Sequence, residues 1–282
     1  LSMTPAQETA LSEIIWAIDS RHGSYLLHGV TGSGKTEVYM QAISHALSAG
    51  GTAIVLVPEI SLTPQTVDRF RGRFGDRVAV LHSRLSPGER FDEWRRIRLG
   101  RVSVVVGARS ALFAPLENIR LIVIDEEHEQ SYYSETSPRY SAIDVASHRC
   151  SLNGAVLVLG SATPALNDYF KAMRGRLTLL EMPDRISGIP MPRVEVVDMR
   201  KEFLKGNSSI FSTSLYNSLK ECLDRGEQAI LFINRRGYST FVSCRGCGHV
   251  FSCPDCDVSM TYHKPEAVSY THLRAHETLS DL

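Results

Sequence analysis

The sequence predicts an α/β fold built on a parallel sheet with helices on both faces. Short apolar runs of β-forming residues recur along the chain, stretches with helical patterning lie between them, and the first run ends in a glycine-rich turn that opens a helix. A strand that is apolar at nearly every position is buried on both sides, as in a parallel sheet covered by its own crossover helices.

In order along the chain, residues 4–20 place Leu11, Ile14, Ile15 and Ile18 on one helical face. The run 25–28 enters the glycine-rich turn, and a helix over 35–49 follows. Further strands are expected at Ala53–Val57, Val78–Leu81, Val102–Val106, Leu121–Ile124 and Ala155–Leu159, with helices over 64–74 and 86–99 between them. Pro183, Gly188, Pro190 and Pro192 suit a linker. A second α/β unit is expected to start with a strand at Val194–Val197, a helix over 212–225 and a strand at Ala229–Ile233.

The chain of 282 residues has room for about two domains. Its 31 basic and 31 acidic residues balance, so any basic surface for a nucleic acid must be local. No run approaches about 18 consecutive apolar residues, and no membrane partner is expected. The start has neither the charged nor the apolar region of a secretory signal.

Cys150 and Cys222 stand alone, whereas Cys244, Cys247, Cys253 and Cys256 form two CxxC pairs. In the reducing cytosol expected for a chain with an ATP-type loop, such pairs read as zinc ligands ahead of a redox pair or disulfides. By ligand type alone the two pairs could close one tetrahedral site.

Gly29-Val30-Thr31-Gly32-Ser33-Gly34-Lys35-Thr36 is a complete GxxxxGK[ST] loop between a strand and a helix. Its glycines permit the tight turn that points successive N–H groups at phosphates, at a helix N-terminus that favours an anion. Lys35 supplies a point charge to the phosphate oxygens, and the Thr36 hydroxyl is suited to magnesium. Downstream, Leu121–Ile124 runs into Asp125-Glu126-Glu127-His128. Asp125 is suited to the second magnesium contact and Glu126 to polarising the attacking water. Lys35, Asp125, Glu126 and His128 are therefore the candidate catalytic residues. Ser161 and Thr163, in Gly160-Ser161-Ala162-Thr163-Pro164, carry short hydroxyls that could bond to the acidic box and report loss of the terminal phosphate.

The order GxxxxGKT, DExH, SAT, each behind its own strand, resembles a superfamily-two helicase. GVTGSGKTEVY (29–39), LVPEISLTPQ (56–65), DEEHEQSY (125–132), GSATP (160–164) and ILFINRRGY (230–238) resemble more closely the primosomal protein N-prime (PriA) family of bacterial replication-restart helicases. The resemblance covers roughly residues 4–266. It implies a RecA-like motor domain over 1–182, a linker over 183–193 and the start of a second RecA-like domain over 194–241. A partial zinc-binding insertion follows at 242–266, then a non-native tail at 267–282. His272 and His276 in that tail mimic the second half of a two-Cys two-His finger.

The resemblance further implies an ATP- and magnesium-dependent 3′→5′ DNA helicase of the bacterial cytoplasm that acts on forked or single-stranded DNA. Its expected partners are other primosome proteins and single-stranded DNA-binding protein. Gln7 would read adenine. Pro58, Glu59, Thr63 and Gln65, with Arg109 and Ser110, would meet the DNA backbone. Tyr132, Tyr133 and Tyr140 would belong to an aromatic-rich loop coupling DNA to ATP, although one or two of these rings could instead pack against the domain. In the family each CxxC pair is half of one of two zinc sites, so each zinc site here would be incomplete. The family's N-terminal DNA-binding region and its terminal arginine motif lie outside the residues matched. The chain alone is thus expected to bind ATP and magnesium but to be poorly active. The alternatives are another superfamily-two translocase and an ATP-regulated zinc or DNA-binding module that does not unwind.

Overall fold

The computed structural model describes residues 3–134, 136–186, 188, 192–232, 249, 250 and 252, with the backbone of 261–263 and 268–270. The chain divides into two compact units, Leu1–Pro190 and Met191–Leu282.

The first unit is a seven-stranded, wholly parallel sheet. Its strands are β1 (Ser24–Gly29), β2 (Thr52–Leu56), β3 (Val78–Leu81), β4 (Val104–Gly107), β5 (Ile119–Asp125), β6 (Val156–Ser161) and β7 (Thr178–Met182), in the order β3-β4-β2-β5-β6-β1-β7. The helices are α1 (Pro5–Ser20), α2 (Lys35–Ser48), α3 (Pro64–Phe74), α4 (Pro87–Arg98), α5 (Ala142–Asn153) and α6 (Leu166–Met173). The predicted α/β parallel-sheet class is what forms.

Strand periodicity divides the core. Ala53, Val55, Leu121 and Val123 face one apolar layer with Ile14, Ile18, Val38 and Ile43 of α1 and α2. Ile54, Leu56, Ile122 and Ile124 face the other, with Ile143, Ala146 and Cys150 of α5. Both faces are covered, so polar side chains such as His28, Asp125 and Ser161 fall at the carboxyl ends of their strands, at the edge of this core.

Three helices start alike. Thr4-Pro5, Thr63-Pro64 and Ser86-Pro87 each place a hydroxyl cap before a proline at the first helical position. α1 and α4 complete capping boxes, with Gln7 and Glu89 returning to the cap N–H.

β7, α5 and α6 are elements the sequence pattern did not single out. In the second unit the described helices are α7 (Met199–Leu204) and α8 (Thr213–Asp224), with a short antiparallel pair β8 (Thr261–His263) and β9 (Val268–Tyr270). Two expectations are corrected here. Residues 194–197 and 229–232 carry no strand, because a strand needs a ladder partner and among the described residues they have none. Val196 is 91% exposed and Ile230 96% exposed, so neither segment is packed as a buried strand would be. Among the described residues no helix is long and apolar enough to cross a membrane.

Candidate nucleotide and nucleic-acid site

The sheet order sets the site. β6 lies between β1 and β5, and its register places Ser161 beside His28 and Gly160 beside Asp125. The phosphate loop, the SAT turn and the acidic box thus leave adjacent strands at the same carboxyl edge, where open parallel sheets take ligands.

The loop leaves β1 at Gly29. Gly32 and Gly34 adopt φ of +85° and +84°, left-handed backbone that a side chain would strain. A Cβ on Gly29 would lie 2.6 Å from Ser33 Oγ, and one on Gly34 would lie 2.2 Å from Gln7 Nε2. The loop is tied by Ser33 N–H to the Val30 carbonyl at 3.0 Å and by Val30 N–H to the Met182 carbonyl at 3.2 Å. Gly34 caps α2 without a side-chain bond, leaving amides at that end for a ligand.

Lys35 is buried, and its ammonium donates to the Gly29 carbonyl at 2.7 Å. Ser33 Oγ is buried without a hydrogen-bond partner among the described residues. A buried cation and an orphaned hydroxyl in a glycine cradle at a helix N-terminus are the donor set that a triphosphate completes. The residues therefore fit ATP. Gln7 is tied into the scaffold: its Oε1 accepts from Thr4 N–H at 2.8 Å, and its Nε2 donates to the Ser33 carbonyl at 3.0 Å. It touches the loop and does not lie free at the surface.

Asp125 ends β5 and is held at two points. Its Oδ1 accepts from Tyr39 Oη at 3.1 Å, and its carbonyl accepts from Tyr132 Oη at 2.7 Å. Burial raises the Asp125 pKa, Glu126 adds to the rise, and Tyr39 and Lys35 oppose it. A magnesium ion there would favour the charged form, so the carboxyl suits that ion. Thr36, Tyr39 and Asp125 share one cavity of about 190 Å³ with Ser61, Thr66 and Arg69. Burial, with the facing Asp125, also keeps the Tyr39 hydroxyl protonated, its pKa raised well above 10.

Glu126 has φ of +48°, a left-handed conformation rare for a non-glycine residue. Its Oε2 is 3.7 Å from His128 Nδ1, and that nitrogen is 2.7 Å from Ser161 Oγ. Ser161 is buried, and its hydroxyl also accepts from Thr163 N–H at 3.0 Å. Thr163 therefore joins the network through its backbone, its residue being exposed. Lys35, Thr36, Asp125, Glu126, His128 and Ser161 all lie along this edge.

Glu127 is a site residue that the motif reading passed over. It is buried, its N–H donates to the Gly160 carbonyl at 3.0 Å, and its Oε1 accepts from Ala165 N–H at 2.8 Å. It thus ties the acidic box to the residue that starts α6. Burial lifts its pKa from 4.5 to about 7, the Ala165 N–H opposes, and Asp168, itself paired with Lys171 at 2.7 Å, adds to the rise. Folding then takes up a proton between pH 4.5 and 7, so this group's contribution to stability is lost as pH rises through that window. Glu127→Gln should remove that slope, a change on the order of 2 kcal/mol between pH 5 and 8. Thermal midpoints across that range check it, and an unchanged slope in the variant counts against it.

Among the residues expected to meet DNA, Arg109 joins two segments. It donates to the Tyr133 carbonyl, and its guanidinium lies 5.3 Å from the Tyr140 ring centroid. Tyr140 packs edge-on against Phe113 at 5.4 Å. Phe113 and Tyr133 are both half exposed, and Ser110 is exposed beside them. Arg149 of α5 donates to the carbonyls of Leu112, Ala114 and Leu116, which fixes this turn.

Tyr132 requires a correction. It is 1% exposed and its hydroxyl is spent on Asp125, so the ring is not available for a base to stack on. Phe113 occupies the exposed aromatic position that the sequence reading missed. Pro58 is buried ahead of a short 3-10 turn (Glu59–Ser61), Glu59 accepts from the Ser83 hydroxyl, Thr63 caps α3, and Gln65 is exposed.

Cys244, Cys247, Cys253 and Cys256 lie outside the described residues, as do His272 and His276. Among the described residues no group of three His, Cys, Asp or Glu could hold a metal ion. Cys150 is buried within the sheet's helical layer, which pushes its thiol up to about 12.

The DEAD/DEAH box helicase family matches residues 4–171. The replication restart protein PriA of Bacillus subtilis (strain 168) is 54% identical over 278 residues, covering 98% of this chain and 34% of that protein. The replication restart protein PriA of Synechocystis sp. is 49% identical over 279 residues, covering 97% and 33%. The chain spans about a third of the length of these relatives. Among solved structures, RecG bound to a three-way DNA junction superposes with a TM-score of 0.49 at 26% identity, covering 73% of this chain and 28% of that one.

Proposed function

The chain belongs to the DEAD/DEAH box helicase family, and from that premise we propose that it is the ATP-binding motor part of a PriA-like DNA helicase serving replication restart. The observation that carries the reading is the register of β1, β6 and β5. It sets the end of β1, where the loop carrying Lys35 begins, beside Ser161 of β6 and Asp125 of β5, and the Ser33 hydroxyl in that loop is buried without a partner among the described residues.

The loop amides and Lys35 hold the phosphates, while Thr36 and Asp125 hold magnesium. ATP with magnesium supplies, when bound, a phosphoryl group for transfer to water. Glu126 orients that water and takes its proton. His128, between Glu126 and Ser161, links the acidic box to the SAT turn. Gln7 steadies the loop by holding the Ser33 carbonyl, and its role toward adenine belongs to this proposal.

Arg109, Ser110, Tyr133 and Tyr140 form the surface for forked or single-stranded DNA, with Glu59, Thr63 and Gln65 along the backbone path; Pro58, expected there from the sequence, is buried and shapes the turn instead of meeting DNA. Arginine positions phosphates and exposed rings stack bases. The 3′→5′ direction, the bacterial cytoplasm, and partnership with primosome proteins and single-stranded DNA-binding protein complete the reading. So do two zincs, the chemistry that paired CxxC thiolates suit. The chain by itself binds ATP and magnesium and turns ATP over slowly.

Titrating the chain with a fluorescent ATP analogue, with and without magnesium, tests the core of this reading. Magnesium-dependent binding is expected, and no binding at millimolar nucleotide overturns it. For the DNA surface, Tyr133→Ala should weaken single-stranded DNA binding by about 5- to 30-fold, the worth of one stacked base at roughly 1–2 kcal/mol, and leave nucleotide binding unchanged. Tyr132→Phe should not weaken DNA binding. Fluorescence anisotropy with a labelled oligonucleotide measures both, and equal losses in the two variants would sink the assignment.

A further inference from the structure

Tyr39 lies one helical turn beyond Lys35 on α2, so the two side chains share a helix face. It is 2% exposed, among the largest fully enclosed side chains of the core. Three elements meet at its hydroxyl. α2 carries it, β5 presents Asp125 Oδ1 at 3.1 Å, and β6 passes beneath at Gly160. A Cβ on Gly160 would come within 1.6 Å of the Tyr39 hydroxyl and 3.4 Å of Asp125 Oδ1, so only glycine leaves room for the pair. Tyr39 also lines the cavity that Thr36 and Asp125 line.

Resting on the reading of Thr36 and Asp125 as the magnesium contacts, we propose that Tyr39 is a positioning residue for magnesium. Its hydroxyl engages one carboxylate oxygen of Asp125 and fixes the orientation in which that carboxylate meets the ion. A carboxylate at a strand end otherwise turns freely about its terminal torsion, which is broad and roughly two-fold. The hydrogen bond from an enclosed, immobile phenol removes that freedom before the metal arrives, and preorganised ligands bind more tightly. Tyr132 bonds the backbone carbonyl of the same residue. It steadies the strand end without touching the carboxylate, which makes it the natural control.

The experiment measures binding of a fluorescent ATP analogue to the full chain as magnesium is titrated. Tyr39→Phe should raise the magnesium concentration for half-maximal binding by about 10-fold or more, the effect of one hydrogen bond to a charged group. Binding without magnesium should stay the same. Tyr132→Phe, which also removes a buried hydroxyl beside Asp125, should leave the magnesium midpoint unshifted; its circular dichroism and thermal midpoint report the structural cost of such a loss. Asp125→Asn should raise the magnesium midpoint further than Tyr39→Phe does, because it removes the charged contact itself and leaves only Thr36. An unshifted midpoint in Tyr39→Phe overturns the proposal, and so does an equal shift in Tyr132→Phe, which would mark general loosening. A wild-type chain whose nucleotide binding ignores magnesium, or an Asp125→Asn variant like wild type, instead overturns the underlying reading of the site.

Discussion

Lys35→Ala is expected to lower the affinity of the chain for ATP by about 100-fold or more, while thermal stability stays unchanged or rises slightly. The ammonium is buried and has no carboxylate within ion-pair distance among the described residues; it rests on the Gly29 carbonyl at 2.7 Å. A cation in that position is desolvated without full compensation, so removing it relieves a cost in the ligand-free chain. In the complex the same ammonium makes charge-assisted hydrogen bonds to phosphate. Two such bonds at roughly 1.5 kcal/mol each correspond to about 100-fold in affinity. Nucleotide titration and thermal unfolding of one variant read both sides. Should stability fall as steeply as binding, Lys35 would be a structural tie to Gly29 rather than a phosphate ligand.

The opposed signs of those two effects also bear on what a sequence can disclose. The phosphate loop, the acidic box and the SAT turn were legible because each is a local pattern attached to the end of its own apolar strand. Their assembly follows once a parallel sheet is granted, since carboxyl ends of parallel strands point the same way. What local pattern does not carry is which way a side chain turns. Tyr132 and Tyr133 are neighbours of one residue type, yet one is enclosed against Asp125 and the other half exposed. That difference comes from the 3-10 turn at Gln130–Tyr132, which has no strong signature. Tyr39 was within reach, four residues beyond Lys35 on a helix that the loop itself announces. Glu127 was hidden in plain view: it reads as filler in the box, and only the return of the chain at Ala165 gives its carboxylate a partner. The strands expected at 194–197 and 229–233 show the opposite failure over their described residues, because apolar β-type composition specifies a strand only where another strand stands ready to pair.

Glu126→Gln is expected to reduce single-turnover ATP hydrolysis, measured with excess protein and single-stranded DNA, by about 100-fold or more, the usual contribution of a general base. Nucleotide affinity should change by less than about 2-fold, since the amide keeps the shape and the polar contacts of the carboxylate. The backbone singles Glu126 out from its acidic neighbours. Asp125 is fixed by two tyrosine hydroxyls and Glu127 is committed to Ala165, whereas Glu126 is the one held at φ of +48°. A non-glycine residue in that region stores on the order of 1 kcal/mol, and such strain persists where a function requires the orientation it produces. Glu126→Gly should therefore separate the two consequences: hydrolysis lost as in Glu126→Gln, but the thermal midpoint raised because glycine adopts the left-handed backbone without strain. If Glu126→Gln hydrolyses ATP at the wild-type rate, the proton goes elsewhere, and His128, 3.7 Å from Glu126 and bonded to Ser161, is the group in position to take it. If both variants lose hydrolysis and only the glycine variant gains stability, the strained backbone at Glu126 is the cost of aiming the base.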